Sequence, residues 1–410
     1  MRLVHITPHL GGGVGKAVAT LIRQAAVSRS DVRHSVLCLE QPEKRHAVDA
    51  LCAVGCPVTI APSLEEARRA IAEADMVQLE FWNHPEIPRL LCALGPVSLR
   101  LLAWCHVSGL HAPAIPAGLL ESDALVVFTS PCSLANPRVR RQGRDHPVVS
   151  SGCVDELPAW NGPNPPRIGY AGTLNFAKLH PDFVGYLAEL PADATPVHLY
   201  GDAVNRDHLE AQCAAAGRPS LLRFHGYADD MPAALQQLGI LCYLLHPQHY
   251  GTAENALIEA MAMGVVPVVL DNPAERAIVM DGDTGFVVAD KAGFRAAMLK
   301  LLGDPALRGR MARRGAASVR SRFTAARMES GLAAQYKHLI KQDKKEFRFE
   351  RVFGATPGEW FASFQPAGPV ATALDAPSER RKGSLHHFLE KFPDDPTLRR
   401  WADDPHGALL

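Results

Sequence analysis

Short apolar runs alternate with stretches of helical period along most of the chain. In the N-terminal half the runs Leu3–Thr7, His34–Leu39, Val58–Ala61, Met76–Phe81, Leu101–Trp104 and Ala124–Thr129 predict strands. Their β-branched and leucine-rich makeup suits strands covered on both faces. Helical patterns stand between them. One covers Gly15–Val27, and another begins at Ser63, where Ser63 and Glu66 form an S-x-x-E capping box. Alternation of this kind predicts an α/β domain with a parallel sheet flanked by helices.

The segment Trp160–Pro166, WNGPNPP, suits neither helix nor strand and is expected to be an extended linker. Beyond it the alternation restarts. Strands are expected at Arg167–Ala171, Val197–Tyr200, Leu222–His225, Ile240–Leu245, Val265–Leu270 and Phe286–Val288. Helices are expected at His180–Leu190, Arg206–Ala216, Met231–Leu238, Ala253–Met263 and Lys291–Leu302, and one long helical stretch, Pro305–Ile340, closes this half. From about residue 342 the character changes. The charged run KQDKKEFRFER leads into the Pro- and Ala-rich stretch Gln365–Pro377, and short helical patterns follow at Ser384–Phe392 and Pro396–Trp401. Trp360, Phe361, Phe364, Phe388, Phe392 and Trp401 predict that this tail docks rather than staying free.

Composition narrows the class. The 410 residues carry 43 basic and 43 acidic side chains, which argues against a dedicated nucleic-acid binder. Nine scattered cysteines form no C-x-x-C pair and no zinc spacing, so buried free thiols in a reducing compartment are expected and no metal site is assigned. No signal-peptide pattern is visible, and no apolar run approaches the ~20 residues a membrane span needs. A soluble cytoplasmic protein, at most peripheral at the inner membrane face, is the expectation.

Two segments carry chemistry. Gly11–Lys16, GGGVGK, lies between the first strand and the first helix. Glycines there allow close backbone approach, and a helix N-terminus attracts anions. The loop is not a Walker A motif, because Leu10 stands where glycine is needed and Ala17 replaces the hydroxyl residue. A phosphate cradle and a ligand-free tight turn both fit the pattern. The second segment, His249–Asn255 (HYGTAEN), leads into ALIEAMAMG and a buried strand. A helix beginning near Thr252 would aim its amides and the Thr252 hydroxyl at a diphosphate. Glu259, deeper in that apolar helix, needs a partner, which ribose hydroxyls or a protein arginine would supply. Arg138, Arg140, Arg141 and Arg144 form a basic cluster, read as a solvated face or a contact for an anionic acceptor.

The text EAMAMGVVPVVLDNPAERAIVMDGDTGFVV resembles the family 4 retaining glycosyltransferases, a glycogen-synthase-like group of the two-domain GT-B fold. Arg167–Lys178 (RIGYAGTLNFAK), Leu199–Asp202 (LYGD), Arg223–Gly226 and Ser130 match the family pattern in order. The resemblance spans roughly residues 1–340, strongest in the second half. It implies two Rossmann-like domains facing a cleft: residues 1–155 on the acceptor side, residues 160–340 on the nucleotide-sugar side, with its closing helix running back toward the first domain, and residues 342–410 as an extension of unassigned role.

Residue by residue, the resemblance implies that Glu259 holds the ribose, that Lys178 pairs with the donor diphosphate, that Gly12 and Gly13 face that diphosphate, and that His106 touches the donor sugar. Thr252, Ala253 and Asn255 line the helix start. Two positions depart from the pattern: Thr173 stands where an arginine is usual, and Gly251 stands where a first glutamate is usual. Glu254 or His249 is the candidate to take over from that glutamate, although a helix would displace Glu254 by most of a turn from position 251. The implied activity is retaining transfer of a hexose from a UDP- or GDP-sugar to a glycan, lipid-linked or small-molecule acceptor, as in polysaccharide biosynthesis, with no cofactor or metal required. Catalytic roles fall to His106, Lys178 and Glu254. A nucleotide-sugar epimerase and a non-catalytic binding scaffold share the same fold and stay open as alternatives.

Overall fold

A computed structural model describes residues 1–42, 45–194, 196–366 and 383–403. The chain divides into two compact units. One comprises Met1–Gly152 with Ala325–Leu410, and the other comprises Cys153–Thr324.

The first unit contains strands β1 (Arg2–Thr7), β2 (Arg33–Cys38), β3 (Val58–Ile60), β4 (Met76–Phe81), β5 (Val97–Leu99), β6 (Leu101–Cys105) and β7 (Leu125–Phe128). The second contains β8 (Ile168–Ala171), β9 (Val197–Tyr200), β10 (Leu222–Gly226), β11 (Ile240–Tyr243), β12 (Val266–Leu270) and β13 (Phe286–Val288). A last strand, β14 (Lys345–Phe347), returns to the first unit and pairs antiparallel with β5. Each unit holds a six-stranded sheet, in the orders β3-β2-β1-β4-β6-β7 and β10-β9-β8-β11-β12-β13, and every pair within them is parallel. Both orders are the doubly wound 3-2-1-4-5-6 arrangement. They place a topological switch point between β1 and β4 in one unit and between β8 and β11 in the other. Ligands of such sheets bind outside the carboxyl ends of the strands at that point.

The expected strands appear within a residue or two of their expected limits. β4 is buried along its whole length and β12 likewise, as fully covered parallel strands require. The helix after the glycine loop begins earlier than expected, at Gly12.

Two sequence expectations differ from the structure. Trp160–Pro166 is a packed strap of the second unit rather than an extended linker. Asn164 caps carbonyls of Leu238 and Met263 at 2.7 and 2.9 Å and accepts the Trp160 indole N–H at 3.0 Å, while Gly264 leaves room for that indole. The stretch Pro305–Ile340 is two helices, Pro305–Arg322 and Ala325–Leu339, broken where the chain passes between units. The second of them packs in the first unit, where Met328, Leu332, Tyr336 and Leu339 join the core under β1, β4 and β6. The tail docks as expected, and it belongs to the first unit. Trp360, Phe361, Phe364, Phe388 and Trp401 are buried, with the Phe361 ring 5.4 Å from Phe388 and 5.8 Å from Trp401. Most of the Pro- and Ala-rich stretch, residues 367–377, lies outside the described residues. Of the cysteines, Cys52 is exposed, Cys92 half-buried and the others buried, all as free thiols. Among the described residues no helix is long and apolar enough to cross a membrane.

Candidate functional site

At the second unit's switch point the loops leaving β8 and β11 are tied together. The Lys178 carbonyl accepts the His246 N–H at 2.7 Å, and Leu179 bridges Leu245. The β8 loop turns at Gly172, with φ +144°, and a Cβ on Gly201 would lie 1.9 Å from the Gly172 carbonyl oxygen. Backbone therefore packs on backbone here, and only glycine fits.

This join brings Lys178 to Glu254. The ammonium lies 2.8 Å from Glu254 Oε2, and the Tyr243 hydroxyl donates to the same oxygen at 2.5 Å. Tyr170 stacks on Tyr243 from behind, with ring centroids 5.8 Å apart. The Glu254 side chain is fully buried, while that of Lys178 is 22% exposed. Burial alone would raise the Glu254 carboxyl. The Lys178 charge, the neighbouring His249 and the hydrogen bonds from Lys178 and Tyr243 overturn this and hold it below the usual carboxylate range. Burial also works against the Lys178 ammonium, and the Glu254 charge outweighs it and lifts its pKa. The pair is ionised at neutral pH.

Glu254 reaches this position through a left-handed backbone, φ 41° and ψ 51°, immediately before the helix Asn255–Ala262. For a non-glycine residue this conformation costs about 1–2 kcal/mol, and strain of this kind gathers at functional sites. The conformation folds the carboxylate back over Gly251. A Cβ built on Gly251 would meet Glu254 Oε1 at 1.8 Å, so the Glu254 carboxylate occupies the space a side chain at 251 would take. His249 braces the loop: its Nδ1 accepts the Gly251 N–H at 3.0 Å, and its Nε2–H donates to Glu275 at 3.1 Å. Glu275 in turn accepts from Asn272 Nδ2 at 3.2 Å.

The helix Asn255–Ala262 has no side-chain N-cap, and its leading amides lie on the same loop as Glu254. Asn175 Oδ1, from the Lys178 loop, and Asn255 Oδ1 are buried without a hydrogen-bond partner. Orphaned polar atoms of this kind call for a ligand or a water.

The other expected residues fall as follows. Thr252 is buried and Ala253 half-buried on the same loop. Glu259 is half-buried on the second turn of the helix, less enclosed than its apolar sequence setting predicts. Thr173 is exposed, and its carbonyl accepts the Tyr170 hydroxyl at 3.1 Å. The sequence reading missed Tyr170, Tyr243 and Glu275. Tyr170 and Tyr243 sit within apolar strand runs and look like ordinary core residues in sequence.

Gly12 and Gly13 are exposed at the start of the helix Gly12–Val27, with Gly12 at φ +61° and no side-chain cap on that helix. The Gly11 N–H donates to His9 Nδ1 at 3.0 Å. A Cβ on Gly15 would lie 2.2 Å from the Leu10 carbonyl oxygen, which explains why this turn requires glycine. His106 follows β6 and bonds through Nε2 to Glu80 Oε2 at 2.8 Å.

The tail covers the ends of β2 and β4. Asn83 donates to the Gly383 carbonyl at 3.0 Å, the His387 ring lies 4.7 Å from that of His84, and Lys391 pairs with Glu40. Glu40, His84 and His387 come within 4.8 Å of one another. Their chemistry does not suit a cation. His84 Nδ1 and His387 Nδ1 each accept a backbone N–H, so in each neutral ring the proton sits on Nε2, and Lys391 already neutralises Glu40.

Comparison with known proteins agrees with this architecture. Residues 165–304 match the family model described as glycosyl transferases group 1. A lipopolysaccharide core biosynthesis glycosyltransferase, LpsE of Rhizobium meliloti, is 27% identical over 128 residues, which span 31% of this chain and 37% of LpsE. The chain thus matches little more than a third of that relative's length. Among solved structures, HepE of Anabaena in complex with UDP and glucose aligns with a TM-score of 0.66 at 16% identity, covering 82% of this chain and 99% of HepE. Sucrose-phosphate synthase from Thermosynechococcus elongatus gives 0.64 at 15%, covering 83% and 99%. A glycosyltransferase from Rickettsia africae gives 0.64 at 14%, again covering 83% and 99%. At these identities the likeness establishes the fold, which is GT-B.

Proposed function

We propose that the protein is a retaining glycosyltransferase that moves a hexose from a nucleoside-diphosphate sugar to a glycan, lipid-linked or small-molecule acceptor. The observation that carries this reading is the Glu254 carboxylate. It fills the side-chain space at Gly251, held by Lys178 and Tyr243, at a switch point where α/β sheets bind nucleotides. The departure at Gly251 is thereby compensated in space, three residues further along the chain.

In this reading the donor diphosphate lies against the N-terminus of the helix Asn255–Ala262 and the Lys178 ammonium. Both place positive charge where the leaving group gains negative charge. Lys178 exchanges part of its contact with Glu254 for the phosphate, and Glu254 then faces the donor sugar. Asn175 and Asn255 supply polar partners, Glu259 takes the ribose, and Gly12, Gly13 and His106 keep the roles the family pattern implies. The first donor to test carries uridine, because HepE, alike in fold, binds UDP and UDP-glucose. LpsE, a lipopolysaccharide core enzyme, makes a bacterial surface glycan the first acceptor to test.

Calorimetry with UDP and GDP, followed by nucleoside-diphosphate release from a panel of UDP- and GDP-sugars with and without acceptor, tests the proposal. One nucleotide should bind, and Lys178→Met should weaken it by about tenfold or more, the value of a charge-assisted hydrogen bond. No heat with any nucleotide would reject the reading in favour of a scaffold. An epimer formed from donor alone would reject it in favour of epimerisation.

A further inference from the structure

The core of the first unit holds a carboxylate that no step above uses. Glu80, on β4, is fully buried, and an ionised carboxylate is tolerated there only if every oxygen is satisfied. It is. Glu80 Oε1 accepts from His5 Nδ1 at 2.9 Å and from Gln78 Nε2 at 2.8 Å, and Oε2 accepts from His106 Nε2 at 2.8 Å. Behind it, the Tyr336 hydroxyl donates to Gln78 Oε1 at 2.5 Å, which fixes the amide so that its NH2 faces Glu80. His5 Nε2 meets His34 Nδ1 at 2.9 Å. Burial alone would raise the Glu80 carboxyl, and the hydrogen bonds from His106 and His5 pull it down to about 2. A carboxylate in this state has no hydrogen to offer, so each imidazole nitrogen that faces it must carry one.

This settles the two ends of the His106 ring. Nε2 carries its hydrogen inward to Glu80. Nδ1 is turned away, and among the described residues none bonds it. The His106 backbone is pinned as well, its N–H donating to the Phe81 carbonyl at 2.8 Å, and the Trp104 ring lies 4.7 Å from the imidazole. Ring position and tautomer are both set from inside the sheet.

We propose that Glu80 is the positioning residue of His106: it locks the imidazole as the Nε2–H tautomer and leaves Nδ1 as an acceptor for a hydroxyl of the bound sugar. The ligand chemistry follows. With its Nε2–H held by Glu80, an unprotonated Nδ1 can only accept a hydrogen bond, so it suits a hydroxyl-bearing group and gives nothing to a phosphate. The assignment of the sugar contact rests on the transferase reading, while the tautomer does not.

The test uses the full chain labelled with [15N]histidine, with the His106 signals assigned by their loss in His106→Asn. At mildly alkaline pH the wild-type ring should show a protonated Nε2 and an unprotonated Nδ1. In Glu80→Gln the amide oxygen is best placed where Gln78 and His5 both donate, which turns the amide NH2 toward His106. Nε2 must then accept, the hydrogen moves to Nδ1, and the two 15N shifts should exchange. Donor kcat/KM should fall about tenfold, the worth of one hydrogen bond. Tyr336→Phe supplies the comparison, since it removes a buried hydrogen bond of the same network without touching His106. It should lower Tm yet leave the His106 tautomer and donor kcat/KM in place. A wild-type Nδ1–H ring, or a folded Glu80→Gln protein with unchanged shifts, overturns the proposal. The spectra are taken without ligand, so they decide it whether or not transfer is detected. Absence of transfer with every donor counts against the transferase reading alone.

Discussion

Removing the Lys178 ammonium should reverse the sign of the acid response of the second unit. In the wild type Glu254 has a lowered pKa. The stability it contributes is present above the ordinary carboxylate value of 4.5 and is lost as pH falls through the lowered folded value. In Lys178→Met the carboxylate stays fully buried with the Tyr243 hydroxyl as its one close donor, since the His249 ring is 3.8 Å from Oε1. An uncompensated buried charge costs about 3–5 kcal/mol. For a unit of this size that corresponds to a fall in Tm of roughly 6–20 °C at neutral pH. Glu254 then relieves the penalty by taking up a proton. Its folded pKa rises above the unfolded one, so lowering the pH should stabilise this variant over the range where the wild type is indifferent or weakened. Lys178→Met/Glu254→Gln buries neither charge alone and should recover most of the loss, with a coupling energy of about 2–3 kcal/mol in the cycle. Urea unfolding of the four proteins between pH 4 and 8, followed by tryptophan fluorescence, measures these quantities. Parallel pH profiles for wild type and Lys178→Met, or a double variant no better than the sum of the singles, would refute the assignment of Glu254 as an ionised, Lys178-dependent group.

Other expectations are open to direct measurement. Gly251→Ala places a Cβ 1.8 Å from Glu254 Oε1 and must displace that carboxylate, so nucleotide-sugar turnover should drop at least tenfold with the fold retained by circular dichroism. Conversely, Gly251→Glu combined with Glu254→Ala moves the carboxylate back to position 251 and should restore part of the turnover lost in Glu254→Ala alone. Gly15→Ala forces a methyl to within 2.2 Å of the Leu10 carbonyl oxygen, so the glycine loop must shift, at about 1–3 kcal/mol read as a lower urea midpoint. Glu80, held down to about 2, contributes about 3 kcal/mol above pH 4.5 that disappears as pH falls toward 2, and Glu80→Gln should remove this part of the acid slope.

The strands of both sheets were readable because parallel strands covered on both faces are written as plain apolar runs. VPVVL and MVQLEF need little context. The HYGTAEN segment marked a candidate site through polar residues ahead of an apolar helix. Its geometry was hidden, because the left-handed turn at Glu254 carries no glycine or asparagine to mark it. The split at Phe323–Thr324 was equally silent: no proline or glycine stands there, and the break follows from the chain changing units. The ribbon of β5 and β14 joins Val97–Leu99 to Lys345–Phe347, in a distant charged run, a pairing that no local pattern encodes. The Glu80 network left one trace, a glutamine and a glutamate two apart in an otherwise apolar strand and therefore on one face. Its partners His5, His106 and Tyr336 are supplied by distant segments, so their meeting is a property of the sheet order rather than of any motif.

The second unit begins and ends at one point. The Cys153 amide donates to the Phe323 carbonyl at 3.0 Å, so its first and next-to-last residues are clasped together. A module whose two ends coincide can be spliced into a host, or lifted out of it, with little change in loop-closure entropy. On the transferase reading proposed above, grafting 153–324 of a relative between Gly152 and Ala325 should exchange donor preference as a single cassette.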